Sequence, residues 1–250
     1  MKQDFEKSII SIQNLNKDFG PINALNKINC KINEGEVLGL VGDNGAGKST
    51  LVKILAGVYP PTSGSILYNG NSIKFKDPSH SRSLGIEIVY QDLGLVDIMN
   101  IGRNFFLGKE PTKTAFKLLD FKKIFGESLT SISKLGIHLN DPEQNVGKLS
   151  GGQKKSIAIS RSLYFGVKVL MLDEPTAALS IKETETVLNV IKDLKKLGIA
   201  VVFITHNIHH AFDVCDRFIV LSSGEVILDE NKSKLEINDI INSVMKGKNE

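Results

Sequence analysis

Residues 42–49, Gly-Asp-Asn-Gly-Ala-Gly-Lys-Ser, constrain what this chain can fold into more than any other stretch. They fit the phosphate-binding template G-x-x-x-x-G-K-[ST], which turns up unaided in roughly one chain in a hundred of this size. The surroundings therefore carry the inference. Val37-Leu38-Gly39-Leu40-Val41, just before the loop, is continuously apolar, as a strand buried on both faces must be. Residues 48–56, just after it, read as a helix that Gly57 closes. A strand, a glycine loop and a helix in that order predict an α/β sheet with an anion held at a helix N-terminus.

The rest of the chain repeats the same rhythm. Strand candidates at 8–13 and 28–32 precede the loop, and apolar runs at 167–172, 200–204 and 218–221 follow it. The last three alternate with helical stretches at 150–164, 182–196 and 208–215, which predicts a parallel sheet. Residues 91–150 break the pattern. They hold amphipathic stretches at 100–107 and 121–135, with turn residues at 110–111 and 140–142, and are expected to form a helical subdomain inserted into the core. The 250 residues suffice for a single large domain, ending in a polar tail at about 231–250 that includes a short helix and a frayed end.

Charge is nearly balanced, with 31 Lys and Arg against 28 Asp and Glu. That gives no basic face for a nucleic acid, and the pairs Lys122-Lys123, Lys154-Lys155 and Lys195-Lys196 read as solvated helix surface. Cys30 and Cys215 sit among apolar residues without metal-ligand spacing and read as buried free thiols. Residues 1–7 mix acidic and basic side chains, unlike a signal peptide, and no apolar run approaches the ~20 residues that span a bilayer. Any membrane span must then come from another chain.

Several residues have types and positions suited to one chemistry. Gly42, Gly45 and Gly47 let the backbone N–H groups of Asp43, Asn44, Ala46 and Thr50 approach the phosphates of a nucleotide, Lys48 adds a point charge, and Ser49 offers a hydroxyl to Mg²⁺. The apolar run Val169-Leu170-Met171-Leu172 ends in Asp173 and Glu174. Asp173 at the strand's carboxyl end can hold Mg²⁺, and Glu174 is placed to orient and polarise an attacking water.

One further motif identifies a family. Leu149-Ser150-Gly151-Gly152-Gln153 matches the ABC signature, and with the phosphate loop a hundred residues upstream the chain resembles the ATP-binding subunits of ABC transporters. The resemblance implies a P-loop NTPase (RecA-like) core carrying an α-helical subdomain and an antiparallel β-subdomain. It also implies that Gln91 contacts Mg²⁺ and water, that His206 contacts the γ-phosphate, and that Phe19 stacks on adenine. Ser150, Gly151, Gly152 and Gln153 would face the ATP held by a second copy in a head-to-tail homodimer with two equivalent sites. Transmembrane permease subunits and, indirectly, a substrate-binding protein would be the other partners, with this chain peripheral at the cytoplasmic face of the membrane.

Finer features point further. Residues 90–97 and 104–108, Ser162-Leu163-Tyr164-Phe165-Gly166 and Thr205-His206-Asn207-Ile208 resemble the ATPases of bacterial monosaccharide importers of the ribose, xylose and fructose type. Branched-chain amino-acid or lipid importers are the alternatives within the family. Non-transport ABC ATPases are a third, although these carry coiled coils, zinc sites or a second ATPase domain with a basic linker. One position departs from the family pattern: Ala177-Ala178-Leu179-Ser180 stands where S-A-L-D is usual, so a charge is lost at Ser180. Ile98, Met99, Ile101, Phe105 and Phe106 are expected to divide between the insert's core and a groove for the permease, with Phe106 taken as a docking residue.

Overall fold

The computed structural model describes residues 8–113 and 117–246. The opening segment 1–7 and residues 247–250, where a frayed end is expected, lie outside the described residues. In chain order the elements are β1 (Ser8–Phe19), β2 (Ile22–Asn33), β3 (Val37–Gly42), α1 (Lys48–Leu55), β4 (Ser63–Tyr68), β5 (Asn71–Ile73), α2 (Pro78–Ser83), β6 (Ile86–Val89), α3 (Ile101–Phe106), α4 (Phe121–Ser133), α5 (Gly151–Tyr164), β7 (Val169–Asp173), α6 (Ile181–Lys196), β8 (Ala200–Thr205), α7 (Ile208–Val214), β9 (Arg217–Ser222), β10 (Glu225–Asn231) and α8 (Ile237–Lys246).

Two sheets result. The larger runs β10-β9-β3-β8-β7-β6, parallel throughout except for β10, which returns antiparallel to β9. Its apolar strands alternate between two cores, which is why they read as unbroken hydrophobic runs. Val41, Leu172, Phe203 and Val220 face the side covered by α5, α6 and α7, whereas Leu40, Met171, Val202 and Ile219 face α1 and the second sheet. That second sheet, β2-β1-β4-β5, is antiparallel. Its packing is locked at the phosphate loop: a side chain at Gly47 would strike Leu25 Cδ2 at 2.7 Å and the Ala24 carbonyl at 2.8 Å.

Between β6 and β7 the chain leaves the sheet as α3, α4 and α5. Phe105 and Phe106, on α3, are 0% and 1% exposed and lie edge-on against each other and against Tyr164 at the end of α5. Phe106 therefore belongs to the core, which corrects its expected role in docking; Ile101 is buried as well, and Ile98 alone of the five is open, at 86%. Asn104 is buried because its amide bonds the carbonyls of Val96, Met99 and Asn100 and accepts the Val96 N–H, stitching the preceding loop to the helix.

The region after 231 also differs from the expected polar tail. In α8, Ile240 is fully buried and Val244 packs on the same core cluster, so the helix is a structural element of the large lobe. The lysine pairs are not all solvated surface either. Lys154 pairs with Asp97 at 2.8 Å, and Lys155 is only 8% exposed.

Candidate ATP site

The cleft begins where β3 ends. Gly42 has φ +151 with the Leu221 carbonyl 2.3 Å from where a side chain would begin, so the turn leaving the sheet admits no other residue. Gly47, at φ +104, is the residue from which α1 starts, and residues 43–50 bend around the helix N-terminus. Lys48 folds back so that its ammonium donates to the carbonyls of Gly42 at 2.7 Å and Asp43 at 2.8 Å. Burial pushes its pKa down, opposed by the nearby carboxylates of Glu174, Asp43 and Asp173. Two carbonyl partners thus fix the position of the ammonium.

Opposite the loop stands the end of β7. Burial, and then the negative charge of Glu174, raise the Asp173 pKa, and Lys48 and Lys53 pull it back. Glu174 takes a left-handed backbone conformation at φ +49, unusual for a residue with a side chain. The side chain is held on both oxygens: Thr205 Oγ1 donates to Oε2 at 2.9 Å, and the His206 backbone N–H donates to Oε1 at 3.0 Å. The His206 ring adds a third contact, Nδ1 to Oε1 at 2.7 Å, while the ring stays largely exposed. The neighbouring β8 register, Asp173 beside Ile204, brings the carboxylate pair and the Thr-His pair to the same sheet edge. Ligands of open α/β sheets bind at such carboxyl ends.

The resulting cleft is about 650 Å³ and is lined by the loop residues 43–50, Gln91, Asp173, Glu174 and His206, with Ala24 and Ala177 completing the wall. The loop with Lys48 faces two carboxylates across a space large enough for a nucleotide polyphosphate. Oxygen donors on Ser49, Gln91 and Asp173 border the same space, a set that suits a hard divalent cation which keeps most of its water.

Two groups of predicted residues lie apart from it. Phe19 ends β1 with its ring 41% exposed, 5.3 Å from the ring of Tyr59 and capped by Lys17 Nζ at 4.9 Å. Ser150, Gly151, Gly152 and Gln153 open α5 in the other lobe, outside the lining of the cleft. There Ser150 and Gln153 form a reciprocal cap, each accepting the other's backbone N–H. Ser180 and Glu183 repeat the arrangement at the start of α6. Glu183 also accepts the Gly152 N–H at 3.3 Å, so one carboxylate bridges two helix N-termini. Hydrogen bonds from the Ser180 side chain and backbone, then from Gly152 and Ser150, hold its pKa down at about 2.

Sequence reasoning did not anticipate Thr205, Lys155 or Ala24. Thr205 closes an apolar strand, and Ala24 acts through its place in the wall. The signal for Lys155 was its position one helical turn into α5, where period 3.6 turns a residue inward.

A protein-family model described as ABC transporter matches residues 25–177. The chain belongs to the ABC transporter family. It is 42% identical over 232 residues to the xylose/arabinose import ATP-binding protein of Sulfolobus acidocaldarius, covering 93% of this chain and 92% of that one. The fructose import ATP-binding protein of Rhizobium meliloti is 36% identical, over 94% and 93% of the two chains. Against the xylose import ATP-binding protein of Thermoanaerobacter pseudethanolicus, 39% identical, 96% of this chain matches 47% of that one, so the chain spans about half its length. Among solved structures, a dimeric bacterial ABC transporter cassette superposes with a TM-score of 0.74 at 26% identity, over 89% and 98% of the chains. An ABC-transporter ATP-binding cassette in its ADP conformation reaches 0.84 over 96% and 98%; at 24% identity that likeness speaks for the fold.

Proposed function

We propose that this chain binds and hydrolyses MgATP to drive import of a monosaccharide through a membrane permease. The observation that carries the reading is the cleft itself, where loop 43–50, Gln91, the Asp173–Glu174 pair and His206 converge. The sugar rests on relatives named as xylose/arabinose and fructose import ATP-binding proteins. Among the described residues no helix is long and apolar enough to cross a membrane, which suits a peripheral subunit on the cytoplasmic face.

In this reading the N–H groups of 43–50, the α1 N-terminus and Lys48 bind the β- and γ-phosphates. Ser49, Gln91 and Asp173 would hold Mg²⁺, which would supply charge neutralisation at the transferring phosphoryl group. Glu174, braced by Thr205 and His206, orients the attacking water and accepts its proton, and His206 turns to the γ-phosphate. Phe19 stacks on adenine through its exposed ring. Ser150, Gly151, Gly152 and Gln153 complete the partner's site in a head-to-tail homodimer, an arrangement supported by the resemblance to a dimeric cassette. The permease docks beside Gln91, where Tyr90, Leu93 and Ile88 line a shallow groove against Arg161 of α5.

The test is Glu174→Gln. It keeps MgATP binding and lowers turnover by about 10²–10⁴-fold, the usual worth of a positioned general base. Turnover close to that of the wild type removes Glu174 from this role.

A further inference from the structure

The turn that carries Glu174 is braced from an unexpected quarter. Residues 174–177 close on themselves, with the Ala177 N–H donating to the Glu174 carbonyl at 3.1 Å. Both ends of this turn also accept from one ammonium: Lys155 Nζ lies 3.2 Å from the Glu174 carbonyl and 3.1 Å from that of Ala177. The turn needs the support, since Glu174 at φ +49 and Ala178 at φ +57 both sit in the left-handed region. Lys155 is buried, and that burial lowers its pKa against the opposing pull of Glu174 and Glu183. A lysine kept out of water with backbone carbonyls as its hydrogen-bond partners has been desolvated for a geometric purpose.

Lys155 belongs to α5, the helix that opens at Ser150. Five residues at about 1.5 Å of rise separate the N-cap from the ammonium's point of attachment. A second tie, Gly152 N–H to Glu183, joins the same helix to α6 directly after the turn. Space is tight there too, because a Cβ at Gly152 would sit 3.0 Å from that of Glu183. Thus α5 is tied to the carbonyls of residues 174 and 177 and to the start of α6 at the same time.

We propose that Lys155 is a positioning residue: it transmits displacement of the signature helix to the turn that aims Glu174 in the same subunit. The inference rests on the ATPase reading above. Its consequence is that contact of α5 with the partner's nucleotide aligns the carboxylate at this subunit's own nucleotide.

The experiment compares wild type, Lys155→Met, Lys155→Gln and Lys155→Arg for kcat, KM for MgATP and melting temperature. ATP-dependent dimerisation is followed by light scattering with each change placed in the Glu174→Gln protein. Lys155→Met should lower kcat at least tenfold while KM and the MgATP needed for dimerisation stay within about threefold. Gln, able to donate to one carbonyl, should fall between, and Arg, able to donate to both, should recover most of the rate. Unchanged kcat in folded Lys155→Met or Lys155→Gln overturns the proposal. So does a fall in kcat that comes with an equal rise in KM and losses of dimerisation and melting temperature, since that is a structural role. Failure of the ATPase reading is visible separately, as a Glu174→Gln protein that turns over like wild type.

Discussion

Two helices in this chain begin with glycine-rich turns, and under the proposed function they meet the same ligand in opposite ways. The start of α1 is furnished with positive charge: Lys48 is tied back over the loop by two carbonyls, and Asp173 and Glu174 stand opposite. At the start of α5 the cations are engaged elsewhere, Lys154 with Asp97 and Lys155 with the carbonyls of Glu174 and Ala177. That terminus is capped by neutral Ser150 and Gln153, and Glu183 already offers it a carboxylate. Both termini present N–H groups and a positive dipole end. In the proposed dimer one is a binding site by itself, and the other is half of a site that a second subunit completes.

That contrast can be broken or sharpened by four measurements. The largest effect concerns the support under α5. Phe106→Ala removes a ring that is 1% exposed and packs on Tyr164 and Phe165, at a cost of about 3–5 kcal/mol. Amide protection should fall in α5 and α3 before α1, as seen by hydrogen exchange. Equal loss in α1 would mean that the two lobes are not separately supported.

Next come the two termini themselves. Lys48→Ala should weaken MgATP binding by about 10–100-fold, the worth of a charge-assisted hydrogen bond, in calorimetry on dilute monomer. Ser150→Ala should leave that monomer binding within about twofold and lower turnover instead, by about tenfold. Weakened binding by the Ser150 variant in dilute monomer would place α5 in the subunit's own site and collapse the comparison.

The smallest effect concerns Glu183. Its folded pKa of about 2 lies below its ordinary 4.5, so the stability it contributes is complete above pH 4.5 and is lost as pH falls toward 2. Glu183→Gln can still form the capping box but does not titrate. The gap in melting temperature between wild type and variant should be widest above pH 5 and should narrow steadily toward pH 2. A gap independent of pH would show that the ionised form of Glu183 has no special hold on the two helix ends.

In the large sheet β3, β7, β8 and β9 were legible in the sequence because they are buried on both faces, so their apolar runs are unbroken, whereas the partly exposed β6 and β10 were not. Helices α5, α6 and α7 were legible from their apolar period, and the phosphate loop from its spacing. The antiparallel sheet was harder to read. In β4, Ser63–Tyr68, only Ile66 is fully buried, and the second half of β1 is polar and bulged, so alternation is too weak to mark a strand. At the site, the residues that touch phosphate follow from residue type and spacing. The residues that aim them do not: Thr205 and Lys155 act through contacts 31 and 19 positions away in the chain. Phe106 shows the reverse error, because an aromatic in a short helix looks alike in sequence whether it faces a partner or its own lobe.

The left-handed backbone of Glu174 has a consequence for how such a chain drifts. Its φ of +49 suits glycine or asparagine, whereas the proposed reaction needs a carboxylate there. A lineage released from the demand for turnover would find replacement at this position easy, since glycine relieves the backbone while the rest of the fold stands. Glutamate on such a backbone is a standing cost that only use can maintain. Under the proposed function, an unfavourable angle at one residue is the cost of holding a carboxylate at that point of the cleft.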